Sequence, residues 1–381
     1  MRIAIVGTGY VADFYLTTLR NHPGLELLGV MDRDGAKAER FARFHRVHRY
    51  GGFDELLGDE RVELVVNLTN PSSHYQVSRA ALEAGKHVYS EKPLSTSFEE
   101  ARALVELSEA RGLSIAGAPC GLLGEAAQTM WKAIREGRLG KVRLAYAEID
   151  DGPVHLMGYR DWISESGNPW PYQDEFETGC TLEHAGYYVT WLCGFFGPAR
   201  RVTSFAASLV PDKGVPVGRQ APDFSVGCIE FGDGVVARLT CSIYAPHEHG
   251  LHVVGDGGVM SAEDCWDYGT PLRFHARSAL GIRGEKRRAL GRLLGVGPRR
   301  VTPVRPVRFR WKSKGANPMD FARGIAEQSE ALAERRPSRV SARFTLHVNE
   351  IVLALQDPAG MGSPRDLTTT FDRPEPMPWA R

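Results

Sequence analysis

The chain has 381 residues, 47 Lys and Arg against 46 Asp and Glu, a formal net charge of +1, and 43% hydrophobic residues. That length makes two domains the expectation, and the apolar content suffices for a sizeable core. The balanced charge offers nucleic acid no global attraction, no apolar run is long enough to cross a bilayer, and no basic and apolar leader precedes "RIAIVG". The expected setting is therefore cytoplasmic, with neither a membrane nor nucleic acid as partner.

In chain order, "RIAIVG" is strand-like, "VADFYLTTLRNH" helical, "LELLGVMD" a second strand and "AKAERFARFHRV" a second helix. "VELVVNLT", "SSHYQVSRAALEAG", "KHVYSEKP", "FEEARALVELSEARG" and "LSIAGAPC" continue the alternation. Strands alternating with helices of this length predict a parallel, doubly wound Rossmann sheet, the α/β class, over residues 1–120. From residue 121 the pattern changes. The helix "GEAAQTMWKAIREGRLG" leads into longer strands with Gly-containing turns, "GDG" at 232–234 and "GDGG" at 255–258. These predict an α+β domain with an open, mainly antiparallel sheet over 121–381. "MDFARGIAEQSEALAERR" and "ARFTLHVNEIVLALQ" read as helices packed on it, and the Pro-rich end as extended. Residues 273–314 hold 14 Lys or Arg against one acid, Glu285. Such a block reads as a solvated surface, with a phosphate-binding patch as the alternative. Six cysteines (120, 180, 193, 228, 241 and 265) lack a Cys-x-x-Cys pair and read as reduced thiols.

The first strand ends in a G-x-G-x-x-A turn, residues Gly7, Thr8, Gly9, Tyr10, Val11 and Ala12, which then opens a helix. Gly7 permits the tight turn, Gly9 lets a pyrophosphate approach the backbone, and Ala12 keeps helix and sheet close. Asp32 closes the second strand, where a ribose-binding acid belongs. Dinucleotide binding follows. A carboxylate near a 2′-phosphate is repelled, which favours NAD, while Arg33 leaves NADP open. Ligands of such sheets sit beyond the strands' carboxyl ends. Thr69, Asn70 and His74 in "TNPSSH" lie there, and so do Glu91 and Lys92 in "EKP". Lys92 is placed to polarise or deprotonate a hydroxyl beside the nicotinamide.

The glycine turn, Asp32, "AGKHVYSEKP" and "GCTLEHAGYYVTWLCGFFG" together resemble the glucose–fructose oxidoreductase, inositol dehydrogenase and rhizopine-catabolism (Gfo/Idh/MocA) family. The resemblance implies NAD(P)-dependent chemistry at a secondary carbinol of a sugar, cyclitol or nucleotide-linked sugar. It makes Lys92 the catalytic lysine and the second sheet a subunit interface of a homodimer or homotetramer. Members carry Asp, then His four residues later. Aligning Gly186 on the family's glycine puts His184 and Tyr188 at those positions, as catalytic and substrate-binding groups. A phenol beside a lysine ammonium is expected to ionise more easily. Glu183 is a second source of negative charge, though about 100° from His184 around a helix. Trp191 reads as core.

In the long segment 155–177, His155, Tyr159, Arg160 and Trp162 are candidate substrate contacts. His247 and His249 form a His-x-His pair, too sparse to predict a metal. Two other functions share these features: redox-neutral, NAD-dependent glycoside cleavage, and non-catalytic dinucleotide sensing.

Overall fold

The computed structural model describes residues 1–277, 297–311 and 318–381. Its first sheet holds β1 (Arg2–Val6), β2 (Glu26–Met31), β3 (Leu64–Asn67), β4 (His87–Ser90) and β5 (Ile115–Gly117), all parallel, in the order β2-β1-β3-β4-β5. The strands read as unbroken apolar runs because helices cover both faces. These helices are α1 (Ala12–Leu19), α2 (Gly35–His45), α3 (Phe53–Gly58), α4 (His74–Glu83) and α5 (Phe98–Ala110). Local signals set their ends: Asp34 caps α2 by accepting from the Ala36 and Lys37 amides, and Ser97 caps α5. The strand order reverses between β1 and β3, so a crevice opens at their carboxyl ends.

The second sheet follows α6 (Glu125–Arg135). It contains β6 (Val142–Asp150), β7 (Ala199–Ala207), β8 (Phe224–Phe231), β9 (Val236–Ser242), β10 (Leu251–Gly255), β11 (Gly258–Ala262), β12 (Leu272–Ala276), β13 (Arg299–Arg300) and β14 (Arg365–Asp366). The order is β13-β12-β11-β10-β6-β9-β8-β7-β14, antiparallel except for the parallel pair β6 and β9. Between β6 and β7 come α7 (Tyr172–Thr178), a π-helical turn at Thr181–Ala185 and α8 (Gly186–Phe196). One sheet face packs on helices, while Leu144, Tyr146 and Phe205 are exposed on strands of the same sheet.

The chain then returns to the first sheet through α9 (Arg323–Ala333) and α10 (Ala342–Gln356). Gln328 of α9 donates to the Val88 carbonyl at 2.9 Å and the Ser114 hydroxyl at 2.9 Å, holding α9 against β4 and β5. α10 is buried along most of its length and packs on α5 and α8 as well as β7, joining the two sheets. The Pro-rich tail is anchored on α6: the Met377 amide donates to Gln128 at 2.9 Å and Arg135 donates to the Ala380 carbonyl at 2.5 Å.

Within the basic segment, Arg273 pairs with Glu263 and Arg305 with Glu125. Residues 278–296 and 312–317 of the segment lie outside the described residues, and with them half of the 14 Lys and Arg of the expected phosphate patch. Among the described residues no helix is long and apolar enough to cross a membrane. All six cysteines are free, and only Cys228 is exposed.

Candidate active site

Gly7 has φ +97°, and a methyl group there would sit 2.5 Å from the Leu68 carbonyl oxygen. Backbone conformation and the strand-exit chain from β3 both demand glycine. At Gly9 a methyl group would meet only the Lys37 ammonium nitrogen, at 3.7 Å, so backbone faces open cleft. Ala12 is fully buried against the sheet. Asp32 accepts from the Thr8 amide at 2.8 Å, the Thr8 hydroxyl at 3.0 Å and the Asp34 amide at 3.0 Å, with the Lys37 nitrogen 3.3 Å away. Burial pushes its carboxyl up, but these donors outweigh burial and hold it below the usual range. Asp32 thus ties the glycine turn to β2. Asp34, Lys37 and Arg40 line the cleft beside it, whereas Asp32 and Arg33 do not.

The acid, base and proline of "EKP" have separate tasks. Glu91 is buried and accepts from the Tyr15 hydroxyl at 2.6 Å and the Lys92 amide at 3.0 Å, bracing the loop on α1. His74 bridges two loops, with its ring nitrogens 2.6 Å from the Pro93 carbonyl and 2.8 Å from the Thr69 carbonyl. His74 is therefore a strut between the two strand ends, outside the cleft lining. Lys92 is left to enter the cleft, where its Nζ donates to Glu183 at 2.5 Å. Burial alone lowers an ammonium's pKa. Here Glu183 first, then Tyr187, Glu91 and Glu175, overrule it and hold Lys92 well above its ordinary value.

The register of the helix carrying Glu183 differs from the sequence expectation. Glu183, His184 and Tyr187 line the cleft, and Tyr188 does not. Tyr188 is fully buried, edge-on to Trp191 at 5.6 Å, with its hydroxyl donating to the His249 carbonyl. The wider π-helical turn lets Glu183 and His184 both face the cleft, and α8 then presents Tyr187, turning Tyr188 and Trp191 into the core. An acid and a phenol four residues apart, Glu183 and Tyr187, thus occupy the Lys92 end, one position earlier than the alignment on Gly186 placed them. Neither phenol ionises more easily. Burial raises Tyr187 despite Lys92 nearby, and burial raises Tyr188 as well.

Behind Lys92 lies a ladder of alternating charge. His184 Nδ1 is 2.7 Å from Asp151 Oδ2, at ion-pair distance without hydrogen-bond alignment, and its Nε2 is 3.5 Å from Glu175 Oε1. His249 Nε2 donates to Asp151 Oδ1 at 2.9 Å, and its Nδ1 faces Asp264 at 3.4 Å. Burial disfavours charge on both rings, but Asp151 and its fellow carboxylates push each imidazole up to about 9. The two imidazoliums in turn overcome burial and hold Asp151 well below the usual range. Burial and its acidic neighbours push Glu175 up to about 7. Asp151, His247 and His249 offer atoms within 4.8 Å of one another, yet both His249 nitrogens already face carboxylates.

The segment 155–177 roofs the cleft. Asn168 donates to the Thr8 carbonyl at 3.0 Å, and Asn70 donates to Asp174 at 2.8 Å. Of the four contacts expected from it, only Trp162 lines the cleft, its ring 5.0 Å from that of Trp170. Tyr159 is core, its hydroxyl donating to the Lys213 carbonyl at 3.0 Å. Arg160 donates to the Gly214 carbonyl, and His155 stacks on Tyr244 at 5.8 Å. The cleft encloses about 720 Å³, within the range of small-molecule sites. Its lining includes the glycine-turn residues Gly9, Tyr10 and Val11, with Thr69 and Asn70, together with Lys92, Glu183, Tyr187, His184, Trp162 and Trp266.

Two domain descriptions match this chain: an oxidoreductase family with an NAD-binding Rossmann fold over residues 1–116, and the Gfo/Idh/MocA C-terminal domain over residues 127–261. The chain belongs to the Gfo/Idh/MocA family of NAD(P)-dependent oxidoreductases. Rabbit (Oryctolagus cuniculus) trans-1,2-dihydrobenzene-1,2-diol dehydrogenase is 28% identical over 270 residues, covering 69% of this chain and 75% of the relative. The fold matches an Agrobacterium radiobacter oxidoreductase solved with NAD+, L-tartaric acid and magnesium (TM-score 0.75, 13% identity, 96% of this chain and 98% of that one). It also matches the WlbA dehydrogenase of Bordetella pertussis, solved with NADH and UDP-GlcNAcA (TM-score 0.71, 16% identity, 98% of each chain).

Proposed function

We propose that this protein transfers a hydride between a nicotinamide and a secondary carbinol or ketone of a hydroxylated ring: a sugar, a cyclitol, a nucleotide-linked sugar or a related cyclic diol. The observation carrying this reading is the Lys92 ammonium, fixed by Glu183 in the same cleft as the bare backbone at Gly9. In this reading residues 1–120 hold the dinucleotide and 121–381 supply the substrate end. The donor set fits a dinucleotide. Backbone at Gly9 to Val11 suits the pyrophosphate, Thr69 and Asn70 flank it, and Lys37 and Arg40 beside Asp34 suit a 2′-phosphate as well as a ribose. When bound, the nicotinamide supplies the hydride acceptor or donor.

Lys92 is a permanent cation here. It donates a hydrogen bond to the substrate oxygen and stabilises negative charge that develops there as the C–H bond breaks or forms. Glu183 fixes its direction. Tyr187, a neutral phenol, donates or accepts beside it. Trp162, Trp170 and Trp266 offer flat faces for C–H surfaces of a ring, interleaved with polar groups for hydroxyls. The reading extends to a homo-oligomer through the sheet face carrying Leu144, Tyr146 and Phe205, and sedimentation equilibrium showing a monomer removes that part.

Reduced-nicotinamide absorbance distinguishes the outcomes. It is followed with NAD+ and NADP+ against trans-1,2-dihydrobenzene-1,2-diol, myo-inositol, glucose and UDP-N-acetylglucosamine. Turnover on one of these, lost in Lys92→Met with cofactor binding retained, is expected. Full activity in that variant refutes the reading.

A further inference from the structure

Oxidising a carbinol releases a proton as well as a hydride, and a proton acceptor has to stand in the cleft. Lys92 cannot take it, because Glu183 and its neighbours keep the ammonium charged. Tyr187 cannot take it as a neutral phenol, since a second proton on that oxygen is strongly unfavourable. Glu183 is spent on Lys92 at 2.5 Å. Asp151 is held between the His184 and His249 rings, and Asp174 accepts from Asn70, which leaves Glu175, near the start of α7. It is 5% exposed, lines the cleft, and its Oε1 has no hydrogen-bond donor. A buried carboxylate lacking a directed donor is expensive to keep. This one faces the cleft, open to a donor from a bound molecule.

Resting on the oxidoreductase reading above, we propose that Glu175 takes up the substrate hydroxyl proton and that His184, clamped between Glu175 and Asp151, positions it. As the carbinol C–H pair leaves as hydride to the nicotinamide, the O–H proton passes to the Glu175 carboxylate and the C=O bond forms. Lys92 keeps its protons throughout. In reduction the Glu175 carboxylic acid returns the proton to the oxygen. The groups facing Glu175 act in opposition: His184 and Lys92 favour its ionised form, Glu183 and Asp151 disfavour it. Burial is the largest influence, and the balance puts this acid at about 7, near the pH where a proton acceptor works best.

His184 is held from behind. Asp151 sits 2.7 Å from its Nδ1, Asp151 is itself tied to His249 at 2.9 Å, and His249 reaches Asp264 at 3.4 Å. Trp266 walls both rings edge-on, 5.6 Å from His184 and 4.3 Å from His249. His184 keeps one positive charge beside Glu175 and prevents its acid from rising further.

Carbon-13 NMR of the full chain labelled at glutamate side-chain carboxyls tests this without turnover. One glutamate signal should titrate near neutral pH, vanish in Glu175→Gln, and move up by roughly 1–3 on the pH scale in His184→Gln. With trans-1,2-dihydrobenzene-1,2-diol as substrate, the acid limb of kcat/KM should coincide with that titration. Glu175→Gln should lose roughly 10²- to 10⁴-fold and with it the limb. A wild-type protein in which no glutamate titrates above about pH 6 overturns the inference, since an ordinary glutamate titrates near 4.3. So does a Glu175→Gln variant whose limb is unchanged while Lys92→Met remains dead, an outcome that leaves the oxidoreductase reading standing. Full activity in Lys92→Met overturns both.

Discussion

Replacing Lys92 by methionine separates what the amine does for the fold from what it does for the reaction. The Lys92 side chain is 19% exposed and that of Glu183 9%, and they meet at 2.5 Å. At an effective dielectric near 20, two unit charges at this separation attract by roughly 6–7 kcal/mol. Desolvating both charges cancels much of that. Removing one partner of a buried pair nevertheless costs ~3–5 kcal/mol, because the other charge is left alone in the interior. Lys92→Met should therefore lower unfolding stability by ~3–5 kcal/mol at pH 7.5, measured by urea denaturation. Adding Glu183→Gln removes the orphan carboxylate and should recover most of the loss, since replacing both partners together is often nearly neutral. Turnover should not recover: both variants should lose at least roughly 10²-fold in kcat. Dinucleotide affinity by calorimetry should stay close to wild type in the double variant. A double variant that regains stability and also turnover would show the lysine to be only a structural cation. A single variant that loses no stability would show that the ion pair does not form.

Three further outcomes follow from the same geometry. Tyr187→Phe should reduce turnover with little change in stability. Tyr188→Phe should do the reverse, costing ~1 kcal/mol or more through the buried His249 carbonyl it leaves without a donor, as read by parallel activity and thermal-melt measurements. Gly7→Ala should abolish dinucleotide binding and lower the melting temperature, because the new methyl group meets the Leu68 carbonyl at 2.5 Å and the +97° φ disfavours any side chain. His184 and His249 are raised from 6.5 to about 9 in the fold. Their contribution to stability is fully present below about pH 6.5 and is lost as pH rises through about 9. Unfolding free energy should therefore fall across that window, and Asp151→Asn should flatten the fall. A wild-type curve that is level from pH 6.5 to 9 contradicts the paired imidazoliums.

Much of the first domain is legible because its strands are buried on both faces and so appear as unbroken apolar runs between amphipathic helices. The glycine turn and "EKP" are equally visible, being local chemistry at strand ends. Three things were hidden. The π-helical turn at Thr181–Ala185 changes which side chains face the cleft, and no composition signal marks it. Anchoring on Gly186 therefore selected Tyr188, although the acid-then-phenol spacing of Glu183 and Tyr187 was present one residue earlier. Tyr159, Arg160 and His155 went to backbone carbonyls and to a neighbouring ring, partners fixed by tertiary packing. Asp151 and Glu175 are isolated acids in the sequence. Only the meeting of β6's carboxyl end, α7 and the π-helical turn makes them a cluster. Asp32 closes β2 as expected, but its carboxylate is taken by Thr8 of the glycine turn and the Asp34 amide, and Asp34 rather than Asp32 lines the cleft.

A crystal structure of the full chain with NADPH or NADH and its cleft closed around the cofactor tests the central assignment most directly. The account predicts the pyrophosphate over the Gly9 backbone and the nicotinamide ring against Lys92, with C4 open toward Glu183 and Tyr187. A cofactor whose nicotinamide lies away from Lys92, or a cleft that takes up neither dinucleotide at millimolar concentration, would contradict it.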